Sequence, residues 1–520
     1  MQQDEITKLI IYVEENTRAA QASGLEFVDT RHFLERLSSK QNHIVYGRRG
    51  AGKTTLVKSI QNSPRHLDIY INMEDFKDIT FPNIVIHVLL ELFQSLNDQI
   101  NDAYPWYKFS NKSRSIKRRV REYCSSLLEY LYEPDTETQE ISTRDSIQDG
   151  MSAGVSAKGV SGSVSTQSFT SREVKRTLPK NKLDFLRIEL TNYKKLLNDI
   201  SSLFSSKPIF LLLDDFYFVQ KKIQPYLVDY FHRITKGTDL YLKLATIKYR
   251  TKLYRRTDDD ITGIEVPHDI SEIDMDYTLT NFEELQVFMR ELLTKAISGS
   301  QASVKFDELF AGDGFSQLCL ASGGVPRDFL SLFVSLNRTF LSNQPIGKMD
   351  VNDAAISNYS NKLSSMKRDS GSEDTILEYY LLRIKQIVYR EKRTNVFLIS
   401  KDELEKETQL KQAIRELIDL RFVYPVDENT SKAPSDGKRY EAYMLDICLY
   451  DNSRPRNFNQ IEPGYRDAKS RMDELRASPV INLDLLNKTE IFTQTEIDLP
   501  STKESQPIGN QGKLDLSFDD

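Results

Sequence analysis

HIVYGRRGAGKTT, residues 43–55, decides how this 520-residue chain folds. The run from His43 to Tyr46 reads as a short buried strand that ends at Gly47, and a helical pattern starts at Lys53. Between them, Gly47-Arg48-Arg49-Gly50-Ala51-Gly52-Lys53-Thr54 fits GxxxxGK[ST] in full. The chemistry needs this composition. Glycines let the backbone close around phosphate groups with its N–H bonds pointing inward. The start of the following helix adds a dipole that favours negative charge. In such a loop Lys53 reaches the outer phosphates of a nucleotide and the Thr54 hydroxyl ligates Mg²⁺. Residues 47–54 together with Thr55 form the expected nucleotide-binding set.

Working outward, HLDIYINM (66–73) alternates as a second strand, and PIFLLLDDF (208–216) is an apolar strand running into two acids. LYLKLATI (240–247) is another core strand. Helical patterns separate these strands, among them 84–96, 112–132, 182–204 and 226–234, and that alternation predicts a parallel α/β sheet. A strand ending at Asp214 delivers its carboxylate beside the phosphate loop, where it can hold Mg²⁺. Asp215 follows as the candidate base for an attacking water. Thr246 closes the next strand and could touch the outer phosphate or that water. Farther on, Ser322-Gly-Gly-Val-Pro-Arg-Asp328 opens a helix: Gly suits the end of one helix and Pro the first turn of the next. The joint aims Arg327 back at the phosphates from a helical lid.

The remainder is read from composition. Lys and Arg total 70 and Asp and Glu total 76, for a net charge of −6, which excludes a globally basic nucleic-acid coat protein. A local basic patch at Lys112, Arg114, Lys117, Arg118, Arg119 and Arg121 is compatible with that balance. Cys124, Cys319 and Cys448 lie far apart, which argues against a disulfide framework or a zinc finger. The six His never cluster with Cys, Asp or Glu at metal or triad spacing. No apolar run reaches the roughly 18 residues of a membrane helix, and the N-terminus lacks a signal-peptide pattern. The expectation is a soluble, cytoplasmic protein with no membrane partner. Residues 151–171 hold seven Ser and three Gly and read as a flexible insertion. Residues 360–374 read as a polar linker. Then come helix 375–392, strand 397–399, helices 401–407 and 410–420, strand 421–425, a polar loop and strand 439–446, the order of a winged helix. Residues 478–520 hold three Lys against eight acids, and LDLSFDD (514–520) alternates apolar residues with acids. A partner-binding strap and a solubilising end are both open for this tail.

The four motifs together resemble the AAA+ and related STAND groups of P-loop ATPases: Walker A at 47–54, Walker B at 209–215, a strand-end Thr246, and GGVPR in a helical lid. The similarity is strongest to the initiator-type branch, the origin-recognition-complex-like ATPases, and to their bacterial relatives. It spans about residues 20–450. It implies ATP and Mg²⁺ as cofactors, with catalytic roles for Lys53, Asp215, Thr246 and Arg327, and Mg²⁺ held by Thr54 and Asp214. It implies that Val28 to Arg31 border the base, and that one of Arg250, Arg255 and Arg256 serves a neighbouring subunit. The expected architecture is α/β. A P-loop NTPase core with its N-terminal arm occupies 1–278, carrying an insertion at about 100–205. A helical lid (279–360), a winged helix (373–450) and a polar, acidic, disordered tail (451–520) follow. Asp215 stands where such ATPases often carry Glu, one methylene longer. The function implied is an ATP-driven switch that oligomerises or controls a partner protein, as bacterial relatives do in defence. The alternative is an initiator-like ATPase that binds DNA through its winged helix, although Lys411 and Arg415 there are mixed with Glu416 and Asp419.

Overall fold

Every residue of Ile209–Asp214 is buried, as an apolar strand flanked on both faces must be. In the computed structural model it is β3 of a five-stranded parallel sheet, with β1 His43–Tyr46, β2 Leu67–Asn72, β4 Leu240–Thr246 and β5 Ser271–Asp274. The strand order is β2-β3-β4-β1-β5. Successive side chains of a strand point to opposite faces. Ile209, Leu211 and Leu213 therefore pack with the helices Asn83–Ala103, Lys182–Leu203 and Gln224–Thr235. Phe210 and Leu212 pack on the other side with Leu56 and Val57 of helix Lys53–Ser59. The structure describes residues 2–17, 26–105, 110–132, 182–256, 261–339, 344–370, 374–451, 454–464 and 472–487. The Ser-rich segment 151–171 and the terminal 514–520 lie outside the described residues. No described helix is long and apolar enough to cross a membrane.

The register brings the chemistry to one edge. Tyr46 lies opposite Thr246 and Asp274, and Asn72 lies opposite Asp214. The carboxyl ends of β1 to β5 thus finish together, which is where open α/β sheets bind ligands. Strand β5 escaped the sequence reading because only Ile273 of its four residues is buried. Glu272 and Asp274 face outward to Lys248, at 2.8 and 3.4 Å. A two-stranded ribbon, Tyr254–Arg256 with Ile261–Gly263, follows β4.

Helices Phe282–Ser300, Gly314–Ala321, Pro326–Thr339 and Lys348–Ser357 form the lid. Leu9 and Val13 of the N-terminal helix Gln2–Asn16 are buried in the same apolar cluster as the lid. That cluster continues into a C-terminal module without a break. The module holds helix Asp374–Lys385, β6 Val396–Ser400, helices Lys401–Lys406 and Thr408–Asp419, and the antiparallel pair β7 Val423–Thr430 and β8 Tyr440–Leu445. Its strand order is β6-β8-β7.

Two expectations need correction. Residues 360–374 are not a linker throughout: Tyr359–Ser370 is a helix. Its polarity hides a narrow inner face, where Lys362 pairs with the buried Asp446 at 2.7 Å beside Met366. The second concerns the tail. The described part of 451–487 packs on the module rather than standing free. Leu398 N donates to Pro479 O and Ile481 N to Leu398 O, both at 2.8 Å, which lengthens the sheet beside β6. Ile461, Leu475, Ile481 and Leu486 are buried. They are too widely spaced to register as a periodic pattern in a polar stretch.

Candidate nucleotide site

Gly50 and Gly52 adopt φ of +91° and +96°, a region that glycine enters without steric cost. At Gly50 the space is also required, because a Cβ there would sit 2.8 Å from the Cβ of Arg327. The lid therefore touches the loop directly, and Arg327 N donates to Gly50 O at 3.3 Å. Beside this contact lies a cavity of about 820 Å³, within the size range of cofactor sites. Phe27, Val28, Phe288, Leu292 and Leu330 supply apolar lining. Arg49, Gly50, Ala51, Gly52, Lys53, Thr54 and Thr55 run along it, and Asp215, Glu74 and Arg327 line it as well. A second recess of about 1000 Å³ shares Thr54, Lys58, Glu74, Asp215 and Arg327 with the first and adds Tyr70, Asn72 and Asp214.

Lys53 is buried and donates to the carbonyls of Gly47 at 2.9 Å and Arg48 at 3.3 Å. Burial lowers its ammonium from the ordinary lysine value, and Asp215, Asp276 and Asp214 pull the other way. Asp214 accepts from the Tyr70 hydroxyl at 3.0 Å and from Asp215 N at 2.9 Å. Those two contacts fix its carboxylate at the end of β3. Asp215 takes φ +50°, a left-handed turn that Asp tolerates better than most residues. The turn carries its side chain into both cavities. Burial first, and then Asp214, push its carboxyl up to about 6. A hydroxyl and a carboxylate, Thr54 and Asp214, make a hard oxygen pair. That pair fits Mg²⁺, which takes few protein ligands when phosphate and water complete its shell.

Not every expected residue comes to the cavity. Arg48 is buried and points away from it: its guanidinium donates to Tyr277 O at 3.0 Å and Gly323 O at 2.9 Å. It also lies 3.4 Å from Asp276 and 5.9 Å from the Tyr424 ring centre. Its side chain thus joins loop, lid and C-terminal module instead of contacting the nucleotide space. Gly47 forms the turn before the cavity and is outside its lining. Thr246 is fully buried at the end of β4, and its hydroxyl is bonded to Thr251 at 2.5 Å. It is absent from the lining of both cavities, because an internal partner satisfies it. Of residues 28–31, only Val28 borders the cavity. Asp29 caps the amides of Phe33 and Leu34, and Arg31 pairs with Glu284 at 2.5 Å. Arg250 lines a small cleft with Asp419, Arg255 donates to the Tyr226 hydroxyl at 2.9 Å, and Arg256 is exposed.

Sequence reasoning missed three contributors. Glu74 lines both cavities from the turn after β2, where no motif marks it. Tyr217 lies under the Lys53 ammonium at 6.0 Å. Asp276 accepts from Arg48 N at 2.9 Å, but it follows the strand that the sequence did not reveal. A comparison with curated proteins found no match. A family model described as ORC-CDC6-like matches residues 21–313, more than half of the chain, covering the sheet, the phosphate loop and the first lid helix. With these motifs on the ends of that sheet, the chain belongs to the ORC-CDC6-like family, initiator-type AAA+ ATPases.

Proposed function

We propose that the chain binds ATP with Mg²⁺, hydrolyses it, and uses the difference between ATP and ADP to reset its C-terminal module. We read that module as a winged helix that acts on a partner protein or on further copies of the chain. Partner control of the kind that bacterial defence relatives exert is the setting this reading fits.

The observation that carries it is the turn 323–328. Gly323 O accepts from Arg48 of the phosphate loop, Arg327 lines the cavity, and Asp328 pairs with Arg421 of the module at 2.5 Å. One short turn therefore touches the loop, the nucleotide space and the module. In the proposed reaction Lys53 and Arg327 face the outer phosphates, and Thr54 with Asp214 hold the metal. When bound, Mg²⁺ neutralises the phosphoryl oxygens. Asp215 takes the proton of the attacking water, a role that suits a carboxyl raised toward neutrality.

DNA in contact with helix Thr408–Asp419 is less well supported. Arg415 is spent 5.0 Å over the Tyr249 ring, and Asp419 is buried against the ATPase core near Arg250. Lys411 is the remaining cation of that helix.

Hydrogen exchange tests the proposal. Amides of 374–451 should exchange at different rates with ADP and with a non-hydrolysable ATP analogue, and Lys53→Ala should erase the difference. Identical exchange in both states, with nucleotide demonstrably bound, would separate the module from the nucleotide and refute the switch.

A further inference from the structure

The hydroxyl of Tyr70 donates to Asp214 Oδ2 at 3.0 Å, and Asp215 N donates to the other oxygen, Oδ1, at 2.9 Å. Both oxygens of this fully buried carboxylate therefore already hold a donor from the chain. The register explains why Tyr70 is the residue that reaches. On β2 it is Asn72 that lies opposite Asp214, while Tyr70 lies opposite Leu212. The Asn72 side chain turns instead to the following bend, where it accepts from Glu74 N at 3.2 Å. Tyr70 sits two residues lower, about 6.6 Å along a strand, a gap that a side chain as long as a phenol can span. The ring is held as well. It packs against the cluster of Phe210, Leu212 and Leu56, and Lys58 Nζ lies 5.8 Å from its centre. Lys58 follows Thr54 by one turn on the same face of helix Lys53–Ser59. Tyr70 thus stands between the helix that supplies Thr54 and the strand that supplies Asp214, and all four residues line one recess.

We infer that Tyr70 makes the site selective for Mg²⁺ over the larger Ca²⁺, by holding Asp214 in a pose suited to giving a metal one oxygen. It is a positioning residue, since it acts through Asp214. The inference rests on the reading of Thr54 and Asp214 as the metal pair. Mg²⁺ demands near-octahedral geometry at about 2.0–2.1 Å and completes its shell with waters and phosphates. Ca²⁺ takes about six to eight oxygens at longer range and readily grips a carboxylate through both of them. A carboxylate with a donor on each oxygen is fixed in its plane. That rigid pose matches the strict geometry of the smaller ion and resists the swing that a two-oxygen grip requires. Phe has the same shape as Tyr and no hydroxyl. In Tyr70→Phe, Oδ2 loses this donor and the carboxylate can turn. Glu74 and Asp215 line the same recess, so a freed Asp214 would join further oxygens able to fill the larger shell of Ca²⁺.

The affinity of the full chain for a fluorescent non-hydrolysable ATP analogue, measured with saturating Mg²⁺, with saturating Ca²⁺ and in EDTA, tests this without turnover. The ratio of each metal value to the EDTA value is the coupling to that ion. Wild type should couple to Mg²⁺ more strongly than to Ca²⁺. Tyr70→Phe should lose about 10-fold or more of the Mg²⁺ coupling, the scale of removing the partner of a metal ligand, and less than about 3-fold of the Ca²⁺ coupling. Its affinity in EDTA and its melting temperature should match wild type, so a folding defect would not account for the change. Asp214→Asn removes the ligand charge and should lose coupling to both ions. Three results overturn the role of Tyr70 and leave the metal pair standing: unchanged Mg²⁺ coupling in Tyr70→Phe, an equal loss for the two ions, or a loss that is as large in EDTA. Absence of metal coupling in the wild type, or full coupling in Asp214→Asn, would instead remove the metal pair and this inference with it.

Discussion

Lys53 and Arg48 stand five positions apart in one loop and do opposite jobs. Lys53 lines the nucleotide cavity, and its ammonium is held on loop carbonyls from which it can reach phosphate. Lys53→Ala should abolish tight ATP binding, and a fluorescent ATP analogue bound within a few-fold of wild type would refute the assignment. Asp215→Asn keeps the shape but cannot take a proton. It should leave ATP binding nearly intact and cut turnover by about 10²-fold or more; an unchanged rate would remove Asp215 from the chemistry. Arg327→Ala should weaken ATP far more than ADP, since a charge-assisted contact is worth about 1.5–3 kcal/mol and ADP lacks the phosphate it meets. Equal weakening would make Arg327 a structural joint. Asp419 offers a pH test at the same scale. Burial raises its carboxyl to about 7, against the pull of Arg250, and its Oδ2 has no hydrogen-bond partner among the described residues. A folded value above the unfolded one means that the native state binds the extra proton. Stability should therefore fall as pH rises from about 4 through 7. Asp419→Asn should flatten that part of a melting-temperature profile, and a profile identical to wild type would show that the site stays solvated.

Secondary-structure elements were legible wherever burial left a periodic trace. Strands β1, β3 and β4 are apolar nearly throughout and β2 alternates, and their ends bring the loop, Asp214 and Thr246 to one edge. The fifth strand and helix Tyr359–Ser370 left no such trace, because each hides a narrow inner face behind polar residues. The side chains of Thr246 and Arg48 turn to other partners for a related reason. A motif fixes where a residue sits on the chain but not which neighbours will satisfy it, and Thr251 and Gly323 claimed these two. Glu74 had no motif at all. At the lid Gly323, at φ +55°, has no room for a side chain: an added Cβ would run into the Tyr424 ring. Gly323→Ala should cost about 1–3 kcal/mol in denaturant unfolding, the usual toll of overpacking. A neutral result would mean that Tyr424 moves aside freely.

At the scale of the molecule, lid and C-terminal module share one apolar cluster, so no seam of weak packing separates them. That continuity, with the buried Ile461, Leu475, Ile481 and Leu486, extends the folded part to at least residue 487. Truncation after 487 should leave the melting temperature and ATP binding unchanged. Truncation after 450 should lower the melting temperature by several degrees, since each large apolar side chain lost from burial is worth about 1.5–3 kcal/mol. Equal melting of both truncated forms would restore the boundary at 450. The double tether of the lid has a kinematic consequence. Arg48 grips Gly323 O, and Gly50 O holds Arg327 N, on either side of Val325-Pro326. A body pinned at two close points cannot slide; it can only pivot about the line through them. Any displacement of the loop then becomes rotation of helix Pro326–Thr339, growing with distance from the pins, and Asp328 passes the start of that rotation to Arg421.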